Sequence, residues 1–313
     1  MRTQLPHENS RSFLTDAGLE TWLLFQQGFD LPYFASFSLL DDQKGSAAMT
    51  EYFSGFLDLA AAQDTGFVLD TCTWRANPDW AARMGHDLTA LEEINKGAVS
   101  FAAALRAQRA QNADVLINGV IGPRGDGYDP ASIMSIAEAR AYHQFQVDVF
   151  ARSGVDLVSA ITMTNTPEAI GVANAAARAD VPSVVSFTVE TDGKLPTGQH
   201  LSEAIAETDA ESDVAPAYYM INCAHPDHFR DVLGSGGWID RICGLRANAS
   251  RMSHAELDAC EELDDGNPEE LGGLYAELRR LLPRLNVFGG CCGTDLRHVS
   301  SICHAVHAPA QAH

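Results

Sequence analysis

Near the C-terminus two adjacent cysteines lie in a glycine cradle, Asn286-Val287-Phe288-Gly289-Gly290-Cys291-Cys292-Gly293-Thr294-Asp295. A third, Cys223, follows an apolar run in Ile221-Asn222-Cys223-Ala224-His225-Pro226. Three thiols at the ends of two strand-like segments suit a zinc ion. Zinc takes cysteine thiolates tetrahedrally, and its catalytic sites keep one position open. An open position serves chemistry on an incoming ligand, above all a thiol. His225, two residues past Cys223, is a candidate fourth ligand that would close the site. The competing reading is three buried cysteines acting as small hydrophobes. Cys72, Cys243, Cys260 and Cys303 are expected to be of that kind.

The elements that carry these thiols constrain the reading. Side chains alternate faces along a strand, so adjacent cysteines reach one metal only where the chain leaves β geometry. Gly289, Gly290 and Gly293 are expected to supply that freedom. Eight strand-like runs occur, at Ser12–Thr15, Gly66–Thr71, Val115–Val120, Leu157–Ile161, Ser183–Val189, Ala217–Asn222, Ile242–Arg246 and Asn286–Phe288. Between them lie helical patterns such as Met49–Asp64, Leu88–Gln111, Ile133–Ser153, Pro167–Arg178, Ala255–Glu262 and Glu269–Leu282. Such alternation implies parallel strands joined by crossover helices. The first strand runs into Asp16-Ala17-Gly18-Leu19-Glu20, which is no phosphate-binding glycine loop. An α/β, single-domain (β/α)8 TIM barrel over residues 1–313 is therefore expected rather than a doubly wound sheet. Such barrels take roughly 250 residues and place their active sites at the strand C-termini. Residues expected there are Asp16, Thr71-Cys72-Thr73-Trp74, Asn118, Thr162, Glu190, Cys223, Asn248 and Cys291-Cys292. The acidic stretch Glu256–Glu270 reads as an exposed insertion before the last strand, and the tail His304…His307…His313 as a frayed end.

Composition narrows the function classes. A net charge of −21, from 42 acidic and 21 basic residues, argues against nucleic acid or an anionic membrane as partner. No run approaches the roughly 20 apolar residues of a membrane span, and the N-terminal residues lack a signal-peptide core, so a cytoplasmic place is expected. Seven cysteines without a secretory signal point to metal binding or reactive thiols rather than a disulfide framework.

Gly-Gly-Cys-Cys-Gly-Thr at 289–294, with Asn222-Cys223 and Pro226, resembles the zinc-dependent homocysteine S-methyltransferase family. That family includes betaine–homocysteine and S-methylmethionine–homocysteine methyltransferases. Asp16-Ala17-Gly18-Leu19-Glu20-Thr21, Gly122-Pro123 and Ser186-Phe187-Thr188-Val189 resemble its other motifs, so the likeness spans nearly the whole chain. The resemblance implies a (β/α)8 barrel with Cys223, Cys291 and Cys292 as ligands of Zn2+. It places Asp16, Ala17 and Gly18 in the amino-acid pocket, with Thr71, Cys72, Trp74, Thr162 and Asn248 as further substrate-side candidates. The implied reaction moves a methyl group from an onium donor to the thiol of homocysteine. A cationic donor favours an aromatic mouth, for which Trp22, Trp74, Tyr33 and Phe34 are candidates against ordinary packing.

Three stretches depart from the family pattern. The fourth strand usually ends in a Glu that helps recognise homocysteine, and Ile161 stands there. Thr71-Cys72-Thr73-Trp74 replaces Thr-Asn-Thr-Tyr, and Asp16-Ala17-Gly18 replaces Asp-Gly-Gly. Either another carboxylate compensates, with Asp70, Glu168 and Glu190 as candidates, or the acceptor is a different thiol. Two further alternatives are a non-catalytic zinc or redox-sensing barrel, and a methyl-transfer component served by a corrinoid partner.

Overall fold

The structure is a computed structural model and describes residues 4–109, 114–130 and 132–308. Eight parallel strands close into a barrel in sequence order. They are β1 (Phe13–Leu14), β2 (Gly66–Asp70), β3 (Val115–Ile121), β4 (Leu157–Met163), β5 (Ser183–Phe187), β6 (Tyr219–Asn222), β7 (Ile242–Ala247) and β8 (Val287–Gly290). Closure runs through β8 and β1, where Val287 faces Phe13 and Phe288 faces Leu14. The eight expected strands are thus all present, shortened mainly at β1, β5 and β6.

One main helix follows each strand. These are α1 (Gln43–Ala62), α2 (Leu88–Arg109), α3 (Ile136–Ser153), α4 (Thr166–Arg178), α5 (Leu201–Glu211), α6 (Pro226–Phe229), α7 (Pro268–Leu281) and α8 (Leu296–His307). Their starts follow local chemistry. Asp42 accepts from Gly45 N, Asn165 from Glu168 N, and Ser135 with Glu138 forms a reciprocal cap on α3. The tail expected to fray is instead α8. Its Val299, Ile302, Cys303 and Val306 are buried at helical spacing, and His307 Nε2 lies 3.0 Å from Ser12 Oγ. His313 lies outside the described residues. No helix among the described residues is long and apolar enough to cross a membrane.

Alternation along the strands builds two layers. Phe67, Leu69, Ile117 and Ile121 face outward to the helices. Val68, Leu116, Val120, Leu157, Val184, Met220 and Val287 face inward and plug the barrel. Nearer the strand C-termini the interior turns polar. Asn118 Nδ2 donates to Asp70 Oδ1 at 2.7 Å, and Ser159 Oγ donates to Asn118 Oδ1 at 2.8 Å. Ser186 Oγ donates to Asn222 Oδ1 at 2.6 Å. A dry plug with a polar deck above it is the platform on which the candidate site stands.

Candidate active site at the barrel mouth

One of the cysteines and a neighbouring threonine owe their placement to unusual backbone. Cys223, just past β6, has φ 53°, and Thr162, near the end of β4, has φ 64°. Left-handed backbone is costly for residues with a Cβ and is held only where surrounding bonds fix it. The β4–β5 register shifts between Ala160 and Met163 around Thr162. Asn222 supplies the fixing bonds. Its Oδ1 accepts from Thr162 N at 3.0 Å, and its Nδ2 donates to Thr162 Oγ1 at 2.8 Å.

After β8 the chain leaves β geometry, as the adjacent cysteines require. Cys291 N donates to Ala247 O at 2.8 Å, and Thr294 Oγ1 donates to Cys291 O at 2.7 Å. Gly293 takes φ 78°, a value that favours glycine. Gly289 and Gly290 were expected to contribute the same freedom, but neither has a positive φ. They permit close approach instead. A Cβ on Gly289 would lie 2.7 Å from Asp16 O, and one on Gly290 would lie 2.8 Å from Thr294 Cβ.

The result is convergence. The sulfurs of Cys223, Cys291 and Cys292 all lie within 4.8 Å of one another. Cys223 and Cys291 stand in disulfide contact, with Cα atoms 5.4 Å apart, while Cys292 is a free thiol. Three Zn–S bonds of about 2.3 Å in tetrahedral geometry would hold sulfurs about 3.8 Å apart. The donor set therefore fits a zinc ion once the Cys223 and Cys291 sulfurs part from disulfide contact to about that separation. Burial pushes the Cys292 thiol up to about 11, so without a cation beside it this thiol stays protonated at neutral pH.

A polar group attends each sulfur. Thr162 Oγ1 points to Cys223 Sγ at 3.9 Å, Asn222 Nδ2 to Cys291 Sγ at 3.9 Å, and Tyr128 OH lies 3.7 Å from Cys292 Sγ. Such outer partners orient thiolate ligands and temper their charge. Tyr128 is itself held by stacking on His254, with ring centroids 3.9 Å apart. His254 bridges Cys223 O at 2.7 Å and Glu190 Oε1 at 3.1 Å. His225, the candidate fourth ligand, is not in the cluster. Its Nδ1 accepts from Asp227 N at 3.2 Å to cap α6, and burial lowers its pKa to about 4.

The sulfurs line a cavity of about 380 Å³ at the strand C-termini. Asp16, Ala17, Gly18, Thr71, Cys72, Trp74 and Thr162 line it. Asn248 does not. It is buried, with its backbone N–H on Ala224 O. Among the aromatic candidates, Phe34 and Trp74 line the cavity. Trp22 packs on Tyr52 instead, and Tyr33 on Trp80. The acidic segment before β8 is more than an insertion: Leu257 and Leu263 line the cavity together with Asp258, Glu262 and Asp264.

Sequence reasoning missed Arg246 on β7. Its guanidinium is buried between two carboxylates. Nη2 donates to Asp16 Oδ1 at 2.6 Å, Nη1 meets Asp70 Oδ2, and Nε donates to Gly290 O at 3.2 Å. Burial pushes Asp16 up to about 7 against the pull of Arg246, and Asp70, sharing the same cation, adds to the rise. Alternation marked Arg246 as an end-of-strand residue, but nothing in the chain paired it with acids 176 and 230 positions away. Of the three carboxylates named as candidates to compensate for the missing Glu, none is free. Asp70 serves Arg246, and Glu190 serves His254. Glu168, in the first turn of α4, accepts from Arg124 N at 2.7 Å and pairs with His143 Nε2 at 2.9 Å.

A closed parallel barrel with three cysteine sulfurs gathered at its C-terminal mouth defines a barrel protein with a candidate metal–thiolate centre. The chain belongs to the homocysteine S-methyltransferase family, whose profile matches residues 13–306. Homocysteine S-methyltransferase 3 of Arabidopsis thaliana is 26% identical over 217 residues. That match covers 66% of this chain and 61% of the relative, so the chain spans about three fifths of the relative's length. Among solved structures, the oxidized form of the homocysteine methyltransferase MmuM from Escherichia coli superimposes with a TM-score of 0.75. It is 18% identical, covering 96% of this chain and 99% of that one. The metallated form of MmuM gives 0.70 at 18% identity, covering 94% and 96%. At that identity both likenesses speak for the fold.

Proposed function

We propose that this chain is a zinc-dependent S-methyltransferase that moves a methyl group from an onium donor to the thiol of homocysteine, giving methionine. The observation that carries the reading is the gathering of three cysteine sulfurs with no fourth side-chain ligand among the described residues. Zinc held by Cys223, Cys291 and Cys292 would supply a Lewis acid with one position left for a thiol, favouring its thiolate at neutral pH. The chain's own residues do the rest. Thr162, Asn222 and Tyr128 orient the three sulfurs. Trp74 and Phe34 present aromatic surface in the cavity, and Asp126, Asp258 and Glu262 line it with negative charge. Such a wall attracts a sulfonium or quaternary ammonium group. In the transfer the acceptor sulfur, its proton released to solvent, forms the S–CH3 bond. The bond from that methyl to the donor's onium atom breaks, and the electron pair stays with the donor. The protein's contribution is to align the two groups. A cytoplasmic place belongs to the same reading, because free thiolate ligands suit a reducing compartment.

The test is to load reduced protein with zinc and supply homocysteine with S-methylmethionine, S-adenosylmethionine or betaine. Saturable methionine formation with at least one donor is expected. Bound zinc with no turnover from any donor or thiol would overturn the reading. The Cys223–Cys291 contact favours a second one, a redox-responsive barrel without catalysis. Turnover under reducing conditions excludes it.

A further inference from the structure

Of the charged side chains in the cavity that are not exposed, two form no ion pair among the described residues. Glu20, just past β1, is half-buried and lines the cavity. Its carboxylate accepts one side-chain bond, from Ser36 Oγ at 2.7 Å. Arg75, just past β2, is 7% exposed and lines the same cavity. Its guanidinium lies between two indoles, with Cζ 4.0 Å from the Trp74 ring centroid and 4.1 Å from that of Trp80. Indole faces favour the cation but accept no N–H bond in its plane. Arg75 Nη1 donates to Gly125 O at 2.9 Å, and its buried Nε has no partner. Asp126, the stronger of the opposite charges that act on it, ahead of Glu20 across the cavity, is exposed and accepts from the backbone of Tyr128 and Asp129.

Buried charges without partners are rare because each forgoes hydration without an equivalent return. Here an unpaired anion and an unpaired cation face one cavity from adjacent strands, β1 and β2. Ser36 ties their loops together, since its hydroxyl meets both Glu20 and, at 3.5 Å, Cys72 O. The Glu20 loop also touches the thiol cluster: a Cβ on Gly18 would lie 2.5 Å from Cys291 O. Asp16 and Asp70 are spent on Arg246, which leaves Glu20 as the cavity's half-buried carboxylate without a cation.

We propose that Glu20 and Arg75 form a split clamp for the two charged groups of an α-amino acid, Glu20 taking the ammonium and Arg75 the carboxylate. The inference rests on the thiol-acceptor reading of the cavity and names what holds that acceptor. It also accounts for Ile161. The carboxylate absent from β4 is supplied from the other side of the mouth, by the loop after β1. The clamp selects zwitterions over simple thiols, amines or acids, because each charged end meets a dedicated partner.

The test uses titration calorimetry with methionine, which carries both charged groups and needs no chemistry to bind. Two relatives each lack one group: 4-(methylthio)butanoate has no ammonium, and 3-(methylthio)propylamine no carboxylate. Glu20→Gln is expected to weaken methionine binding roughly ten- to a hundred-fold and to leave 4-(methylthio)butanoate unchanged. Arg75→Gln is expected to weaken methionine similarly and to leave 3-(methylthio)propylamine unchanged. The unchanged ligand in each pair shows that the variant is folded. Equal losses for all three ligands, or no loss for methionine, would overturn the clamp. If homocysteine is methylated while both variants bind methionine as the parent does, the reaction stands and the clamp falls. If the crossed binding pattern holds and no thiol is methylated, the clamp stands and the reaction falls.

Discussion

Each cysteine sulfur has a different supporter, so single changes should separate metal binding from tuning. Cys292→Ala removes one of three sulfurs and should abolish both zinc retention through gel filtration and methionine formation. Tyr128→Phe keeps the ring stacked on His254 but deletes the hydroxyl near Cys292 Sγ. Loss of such an outer partner typically costs ten- to a hundred-fold in metal affinity or activity. Competition with a chelator should show about that weakening, with zinc stoichiometry preserved. A Tyr128→Phe protein with parental zinc affinity and turnover would remove the hydroxyl from the account. The three cysteines were legible as a set through the resemblance that Gly-Gly-Cys-Cys-Gly-Thr and Asn222-Cys223 carry, whereas spacing alone left buried small hydrophobes as an equal reading. Glu20 and Arg75 were not, because polar residues in loops carry no periodicity that says which way they face.

At the scale of elements, the mouth depends on how closely the β1 loop and the β8 turn approach. Gly18→Ala would drive a Cβ to 2.5 Å from both Cys291 O and Thr21 Oγ1. The turn that carries Cys291 and Cys292 must then shift. Zinc affinity is expected to fall about ten-fold or more, with only a small change in thermal stability. A variant with unchanged zinc affinity would show that the approach is incidental. The strands were readable from apolar runs, and most helices from their stripes. The helix α5 was not singled out, because its buried stripe is Leu201, Ala204, Ile205 and Thr208 among acids, a weak apolar signal. In α8 the stripe is stronger, but a run of histidines at a chain end reads as a tail until packing against α7 is visible.

At the scale of the molecule, polar buried groups lock the barrel as well as shape its site. The Asp16–Arg246–Asp70 triad joins β1, β7 and β2. Arg246→Met would leave two buried carboxylates without their cation, and breaking such an arrangement typically costs about 3–5 kcal/mol. Denaturant unfolding should show a loss of that order at pH 7. Glu168 offers a pH test away from the cavity. Burial pushes its carboxyl up, but the bonds from His143 and from Arg124 N outweigh burial and hold it below its usual range. A depressed carboxyl contributes stability above its unfolded pKa of about 4.5, and that contribution is lost as pH falls below it. Glu168→Gln should therefore cost roughly 1–3 kcal/mol at pH 7, with the gap to the parent narrowing below about pH 4.5. A pH-independent gap would contradict the assignment.

The central claim is that the three sulfurs leave one position for the acceptor thiol. X-ray absorption at the zinc edge of reduced, zinc-loaded protein, with and without homocysteine, tests it most directly. The account predicts three sulfur neighbours and one light atom in the free protein, and four sulfurs once homocysteine is added. A zinc shell that homocysteine leaves unchanged, or one already filled by a fourth protein ligand, would contradict it.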